Sequence, residues 1–374
     1  MRATARVVAC AVALPALGQA AQWTAVPQFA VSADTDSNRR LQQVAKESES
    51  GVVAGALTFA RLTETGSLMV TPRAVISRYS GEDALDSDDW GVSAAWRTHG
   101  ERTDFSLNAN ITDDSALVTE LGETGFVEGN TRRRSTSASA LFTQYLETRH
   151  MLQYQLATTY VDYQRSAGTG LLAYKYPAAS ILYAYTVSPR LDVTLTANAA
   201  RLTADSIALV NETRGGQLGV RYRISERFDF EAGAGRSTTE SRGRRDSEQS
   251  FHASLSWHDE ISQLTFSASR DVEPSGRGLL VNADDVRAEY SRNLSEKLSL
   301  QTSLRLSRRQ DFDFTGSRSD YRYGAGALAL SWRLDEQWTL AFAGLYSRQE
   351  YSNYLDPADG KRFGINLAWR PVQP

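Results

Sequence analysis

The sequence predicts an all-β protein, a transmembrane antiparallel up-and-down β-barrel of about 18 strands. Apolar and polar residues alternate with period two through most of the chain, as expected for strands whose two sides have different surroundings. Short turns alternate with long polar connections. No run of about 18 apolar residues follows the N-terminus, which excludes helical membrane spans but leaves a strand barrel open.

The N-terminal segment 1–20 has the pattern of a secretory signal peptide. Arg2 and Arg6 precede the apolar run Val7 to Leu17, and small residues follow it. Cys10 lies in this run, so the predicted mature chain, residues 21–374, has neither disulfides nor thiol chemistry. A lipoprotein box around Cys10 is the weaker interpretation, because only six residues precede it.

The charge balance argues against a nucleic-acid partner. The whole chain has 41 Lys and Arg against 44 Asp and Glu. Proteins that bind nucleic acid neutralise phosphates with an excess of basic residues, which this chain lacks.

The short connections are variants of one turn. Ser or Asp opens each turn, because its side chain can accept a hydrogen bond from a backbone N–H two residues further on. The copies are 187–192, 224–229, 257–262, 294–299 and 334–339.

The long connections are rich in Asp, Glu, Arg, Ser and Gly. They are predicted at 80–89, 113–133, 204–214, 238–249, 273–285, 310–320 and 349–360. Short turns at one rim and long loops at the other are typical of outer-membrane barrels, with periplasmic turns and extracellular loops.

Eighteen strands are predicted, and an even number places both termini on the periplasmic side. The strands start near Trp23, Val52, Ser67, Asp89, Thr103, Arg134, His150, Ala173, Leu191, Gly216, Phe228, Ser250, Gln263, Val286, Leu298, Tyr321, Trp338 and Lys361. Sixteen strands is the alternative, since the first strand and the one after Arg134 have poorly separated faces.

Periodicity alone does not separate a membrane barrel from a soluble sandwich, in which the apolar face would meet a second sheet. Aromatic residues at strand ends, among them Trp96, Trp257 and Trp338, favour the membrane. The closing strand has polar, glycine, apolar and aromatic residues at the spacing of the outer-membrane insertion signal: Arg362, Gly364, Leu367 and Trp369. This similarity implies the barrel assembly machinery as a partner, although five residues follow Trp369.

The inward face of the predicted strands carries charges of both signs. The lumen-lining candidates are Arg73, Arg97, Asp192, Arg221, Arg223, Asp229, Glu231, Arg287, Glu289 and Arg305. A barrel of 16 to 18 strands encloses room for water. These residues are either an ordinary solvated wall or a groove for a hydroxyl-rich polymer.

A search for catalytic or metal-binding groups predicts no enzyme, no cofactor and no metal site. His252 shares a face with Ser250, Ser254 and Ser256, but this face is the lumen side and serine is common there. The segment 34–38 resembles the start of a calcium loop, yet Arg39 stands where glycine is needed and Ala45 where the bidentate Glu should be.

Charged groups in the loops suggest two further contacts. Asp83, Asp86, Asp88 and Asp89 form either a divalent-cation site or a solvated loop. The arginine groups at 132–134 and 242–245 lie where lipopolysaccharide phosphates would be, so outer-membrane lipids are expected partners.

The mature start Trp23, Pro27 and Asp34, the repeated turns and the strand from Gly364 to Trp369 resemble the beta-barrel porins encoded with bacterial exopolysaccharide loci. The resemblance implies an eighteen-stranded barrel through which exopolysaccharide leaves the cell, delivered by periplasmic polysaccharide-export proteins. It supplies no catalytic residue.

Three functions are therefore carried forward. The first is an exopolysaccharide export channel. The second is a general or nutrient diffusion porin, which requires a long inward-folded loop, with 113–133 as the candidate. The third is a structural or adhesive barrel with a plugged lumen.

Overall fold

A computed structural model gives the fold for residues 22–116, 120, 131–164, 170–204, 209–241, 244–311, 320–352 and 356–372. The predicted signal peptide, including Cys10, and Arg242 lie outside these described residues. No helix in the described part of the chain is long and apolar enough to cross a membrane.

The chain forms one closed antiparallel sheet of 18 strands, which confirms the predicted fold class and excludes the sixteen-strand alternative. Each strand pairs with its neighbours in sequence, and β1 pairs with β18 to close the barrel. The strands are β1 (Gln22–Asp36), β2 (Ser48–Thr63), β3 (Gly66–Ser80), β4 (Ser87–His99), β5 (Thr103–Ser115), β6 (Arg132–Glu147), β7 (His150–Gln164), β8 (Tyr174–Ser188), β9 (Leu191–Ala204), β10 (Leu209–Ser225), β11 (Phe228–Ser241), β12 (Arg244–His258), β13 (Ser262–Pro274), β14 (Leu280–Asn293), β15 (Leu298–Asp311), β16 (Asp320–Arg333), β17 (Trp338–Tyr351) and β18 (Ala358–Trp369).

The end of the barrel that holds the short turns, here called the turn rim, has the predicted turn chemistry. The Ser188 hydroxyl accepts a hydrogen bond from the Arg190 N–H at 3.3 Å, and Ser225 accepts one from Arg227 at 3.2 Å. In the turn at 257–262, Asp259 Oδ1 accepts hydrogen bonds from the N–H groups of Ile261 and Ser262 at 2.9 and 2.6 Å. These bonds, led by the one from Ile261, hold the pKa of the Asp259 carboxyl below its usual value.

The opposite end, here called the loop rim, differs from the sequence prediction. Three expected long connections are mostly strand, because β10, β12 and β14 begin at Leu209, Arg244 and Leu280 rather than near Gly216, Ser250 and Val286. Their extra residues are polar, so their sequence looked like loop. Backbone pairing with the neighbouring strand keeps them extended all the same.

The inner face is identified by contacts between strands that are distant around the wall. Val161, Tyr174 and Leu202 on β7, β8 and β9 form one buried cluster with Leu280 on β14. Because β9 and β14 are separated by four strands, these side chains can meet only across the inside of the barrel. Pairing then places alternate residues of each strand on the inner face.

The outer face is apolar and exposed. Its large side chains include Leu218 and Phe363, which are 61% and 63% exposed. In β18, Phe363, Ile365 and Leu367 are all exposed apolar residues, as predicted. A wide apolar belt on a water-exposed surface would be costly, so this belt requires a covering apolar phase.

One hairpin leaves the wall. The pairing of β12 with β13 ends at Phe251 and Arg270, although β12 starts seven residues earlier at Arg244. Beyond Arg270, β13 continues to Pro274 and pairs with β14. The β13–β14 tip therefore bends away from β12 and into the lumen.

Candidate functional site

A polar groove of about 400 Å³ runs along the inner wall of β3 to β7. Strand register builds it from two adjacent rows of side chains, one from each of five strands. The row nearer the loop rim is Thr71, Ser93, Asn110, Ser137 and Thr159, and the row nearer the turn rim is Met69, Ala95, Asn108, Ser139 and Ala157.

The groove offers hydroxyl and amide groups beside small apolar surfaces. Each Asn amide can donate and accept, and each hydroxyl can do the same. A polyhydroxyl compound can therefore exchange its water hydrogen bonds for these groups at little net free energy. The arrangement suits carbohydrate and has no resident charge.

Two predicted residues, Arg73 and Arg97, flank this groove. Arg97 lies in the next row toward the turn rim, between Ser67 and Ser106. Arg73 lies in the next row toward the loop rim, facing Gly91. A side chain at Gly91 would approach Arg73 Nε to 3.2 Å, so glycine leaves room for the guanidinium group. An anionic solute in the groove would have a cation at either end.

Five more predicted residues lie together on the inner face of β9 to β11, and four of them form an ion-pair ladder. Register places Arg221 between Asp192 and Glu231. Arg221 Nη2 lies 3.0 Å from Glu231 Oε2, and Arg223 Nε lies 3.6 Å from Asp229 Oδ1. All four of these paired side chains are more than a third exposed, so solvent screens the pairs.

His252 extends this ladder rather than forming a catalytic pair. Its Nε2 lies 3.5 Å from Glu231 Oε1 and its Nδ1 lies 3.2 Å from Gln217 Oε1. Ser250 accepts a hydrogen bond from Gln217 at 3.0 Å. The ring nitrogens thus face Glu231 and Gln217. That the protein is not an enzyme stays a prediction.

The last three predicted residues lie on β14 and β15, where Arg287 and Arg305 belong to an arginine cluster. Its centre is the Asp285 carboxylate, 2.8 Å from Arg309 Nη1, 3.6 Å from Arg305 Nε and 4.0 Å from Arg287 Nη2. The Asp285 and Arg309 side chains are only 7% and 8% exposed. Glu289 is exposed between Thr265 and Ser303.

The β13–β14 tip meets the opposite wall and narrows the lumen at the loop rim. Leu172 N donates to Gly276 O at 2.8 Å, which joins the tip to the β7–β8 connection. A side chain on Gly276 would come within 2.6 Å of Glu120 Oε2 in the β5–β6 connection. Glu120 in turn accepts a 2.6 Å hydrogen bond from the Tyr163 hydroxyl. We call this assembly, with the buried cluster around Leu202, the constriction.

The β1–β2 connection also lies inside the loop rim. Leu41, Asn38 and Arg39 are buried. Gln349 on β17 donates to the Leu41 carbonyl, and Arg39 pairs with Asp34. Arg39, which stands where a calcium loop needs glycine, thus places its guanidinium group beside Asp34, the first residue of the segment that resembled a calcium loop.

Several of the loop charges that the sequence singled out have partners within the described residues. Asp88 pairs with Arg78 at 2.8 Å, Asp89 with Arg132 at 2.7 Å, and Arg134 with Asp113 at 3.1 Å. The described residues include no group of three or more His, Cys, Asp or Glu placed to hold a metal ion.

In the predicted insertion signal, Arg362 pairs with Asp36 at 2.8 Å, and Gly364 lies against Asp34 at the β1–β18 seam. Its role in assembly stays a prediction.

Sequence analysis missed the polar groove, and of the constriction it indicated only the 113–133 connection as a candidate inward loop, not the β13–β14 tip or the buried cluster. Asn108, Asn110 and Ser137 are ordinary neutral residues, and only strand register shows that they share a surface. Leu202 and Val161 were indistinguishable from other apolar strand residues. The inward position of Leu202, between two outward residues of β9, was the available signal.

Comparison with known proteins shows which solved structures share this fold. No protein-family model and no curated protein matches the chain. Among solved structures, OccK2 (OpdF) of Pseudomonas aeruginosa has a TM-score of 0.52 at 10% identity, covering 93% of this chain and 98% of its own. The same protein in complex with glucuronate gives 0.51 at 8% identity, with the same coverage. The P. aeruginosa outer membrane protein opdK gives 0.51 at 9% identity, also over 93% and 98%. This chain therefore has the fold of bacterial outer-membrane porins.

Proposed function

We propose that this protein is a diffusion channel of the bacterial outer membrane for small hydroxyl-rich solutes, including sugar acids. In this proposal the loop rim faces the cell exterior and the turn rim, with both termini, faces the periplasm. The exposed apolar belt and the porin fold support the outer-membrane location.

The observation that carries the proposal is the polar groove between Arg73 and Arg97. Its two rows can hydrogen-bond sugar hydroxyls, while a flanking guanidinium can bind a carboxylate in bidentate fashion. A porin of the same fold is known in complex with glucuronate, a compound with both kinds of group.

The constriction favours a channel for small solutes over a channel for long polymers. The diffusion-porin hypothesis required inward folding of the 113–133 connection, and Glu120 of this connection does contact Tyr163 inside the barrel. The β13–β14 tip adds a second inward element. A narrow passage can select small solutes by size, whereas a wide lumen would not.

The test is block of ion current through the purified protein in planar bilayers by glucuronate. We expect glucuronate to interrupt the current of the wild-type channel, and the double variant Asn108→Ala with Asn110→Ala to lose most of this block at unchanged conductance. Asn366→Ala is the matched control, because Asn366 lies on the inner face of β18, away from the groove. Equal block of all three proteins would refute the role of the groove.

Exopolysaccharide export is the second candidate. Hydroxyl groups continue beyond the groove on the inner faces of β12 and β13, at Ser254, Ser256, Thr265 and Ser267. A long hydroxyl-lined wall favours passive guidance of a polymer delivered by periplasmic polysaccharide-export proteins. Deletion of the gene should then abolish surface polysaccharide while sugar-acid uptake stays normal, which is the opposite of the result expected for a diffusion channel.

A plugged structural barrel is the remaining alternative. It requires zero conductance together with normal polysaccharide output and normal solute uptake. The same bilayer measurement therefore separates it from both channels.

A further inference from the structure

The outer wall carries a groove that the transport path does not use. It is about 570 Å³ in volume and lies across β5 to β10. Its floor consists of small and apolar residues, including Ala138, Leu156, Ala179 and Ala199. Ala199 and Ala179 are paired in register and alternate with inner-face residues such as Asn198, so this floor faces outward.

A second hollow of about 540 Å³ adjoins the first around the wall, on β10 to β12. The two share Glu212 and Arg214 as lining residues. Arg236 lines the second hollow and Arg201 the first. Together the hollows make one continuous surface, which we call the outer groove. It is apolar on β5 to β9 and charged on β9 to β12, where the arginines outnumber Glu212 and Glu240.

Three arginines of the outer groove form a diagonal series over three strands. Arg201 on β9 is paired with Glu212, two residues from Arg214 on β10. Arg214 is paired with Thr238, two residues from Arg236 on β11. Such diagonal neighbours in antiparallel sheets are about 7–8 Å apart, a spacing that lets adjacent guanidinium groups share one phosphate.

The arginines point outward because their sequence neighbours point inward. Leu202 is fully buried in the constriction, Thr213 is buried, and Gly235 faces Gln217 inside the barrel. Of the three, only Arg214 pairs with a carboxylate among the described residues, at 3.4 Å from Glu212, and both partners are well exposed. Arg201 and Arg236 have no carboxylate within 4 Å in that part of the chain, so positive charge is left in excess.

Charge complementarity therefore identifies the occupant. The surface would suit a molecule with acyl chains for the alanine floor and phosphate groups for the arginines beside it. We propose that the outer groove binds one phosphorylated lipid of the outer leaflet, with its phosphates at Arg201, Arg214 and Arg236. The inference rests on the outer-membrane location proposed above but not on conduction.

This site differs from the arginine group at 132–134 that the sequence suggested, whereas Arg245 of the 242–245 group lines the second hollow and lies 3.6 Å from Glu240. Arg132 is engaged by Asp89 and Asp113, at 2.7 and 2.5 Å, and Arg134 by Asp113. A phosphate would have to displace these carboxylates. Arg201 and Arg236 present no such competition.

The experiment measures retention of bisphosphorylated lipid A by the purified protein in detergent, using native mass spectrometry. We expect one bound lipid A on the wild type, and retention lowered about tenfold or more by Arg214→Gln with Arg236→Gln, because each lost charged hydrogen bond weakens binding by about a factor of ten. The matched control is Arg322→Gln with Arg348→Gln, two outward arginines on β16 and β17, which should retain lipid A normally.

Two further arms separate the contributions of phosphate and acyl chains. Ala199→Trp fills the apolar floor and should lower retention while leaving glucuronate block unchanged. Inorganic phosphate at millimolar concentration should not displace lipid A, because it lacks the acyl contacts.

Three results would overturn the proposal. Equal retention by wild type and the Arg214/Arg236 variant would remove the phosphate site. Displacement by inorganic phosphate would identify a free-phosphate site instead. A change from oligomer to monomer in the Ala199→Trp variant, without loss of lipid A, would identify the outer groove as a contact between copies of this chain.

Discussion

The inner wall near the turn rim and the inner wall near the loop rim use the same residue types to opposite effect. Arg221 and Glu231 in the ion-pair ladder are 53% and 36% exposed. Arg309 and Asp285 in the arginine cluster are 8% and 7% exposed. Screened pairs line open space, whereas buried pairs hold packed structure together. The lumen is thus open toward one rim and constricted toward the other.

The difference arises from what lies inside each rim. At the turn rim the connections are tight and remain at the wall, as the turns at Ser188 and Ser225 show. At the loop rim the β1–β2 connection and the β13–β14 tip enter the lumen and cover the wall. Charge type therefore does not reveal whether a residue lines a path or stabilises a constriction.

The largest effect is expected from removing one buried carboxylate. Asp285→Ala leaves Arg309, Arg305 and Arg287 close together and should lower the free energy of unfolding by about 3–5 kcal/mol, because buried Arg309 loses its 2.8 Å partner and keeps only the 3.5 Å contact with Glu273. Urea unfolding in lipid vesicles provides the measurement. The same substitution at exposed Asp229 is the control and should cost about 0–1 kcal/mol. Similar losses at both positions would show that the two rims do not differ.

A pair of substitutions with an intermediate expected effect tests which face of the sheet meets water. The comparison of the two rims depends on this assignment. Leu304→Arg places a cation on the outer face in the middle of β15 and should cost about 2–4 kcal/mol in a bilayer. Ser303→Arg, one residue away on the inner face beside Glu289, should be nearly neutral. Reversible unfolding of both variants in vesicles measures the difference. A larger loss for Ser303→Arg would invert the assignment of the faces.

The smallest effect on stability, with a clear effect on transport, is expected at the ladder. Arg221→Ala removes an exposed pair, so the free energy of unfolding should change by about 0–1 kcal/mol. Because Asp192 and Glu231 then remain without the cation between them, the channel should become more selective for cations. Reversal potentials in a salt gradient measure this selectivity. Unchanged selectivity would mean that the ladder lies outside the conducting path.

Strand faces and the turn rim could be predicted from the sequence because they depend on local rules, which also favoured 18 strands over 16. The predicted strand starts at Thr103, His150, Leu191, Phe228, Leu298 and Trp338 coincide with the observed ones. The last four follow turns whose side-chain hydrogen bonds, at Ser188, Ser225, Ser295 and Asp335, are set within a few residues. Strand starts at the loop rim, such as Leu209 and Arg244, were missed because polar strands above an apolar belt resemble loops.

By itself the sequence determined the alternation of faces, and with it a closed barrel that has an apolar outside and a polar inside. The structure decided between 18 and 16 strands. Only the tertiary structure decided where the ten predicted charges lie relative to one another, that neutral residues from five strands form the polar groove, and that a hairpin enters the lumen. Side-chain direction repeats every two residues and is therefore readable locally. Contacts across a barrel join residues far apart in the chain and depend on how the whole sheet closes.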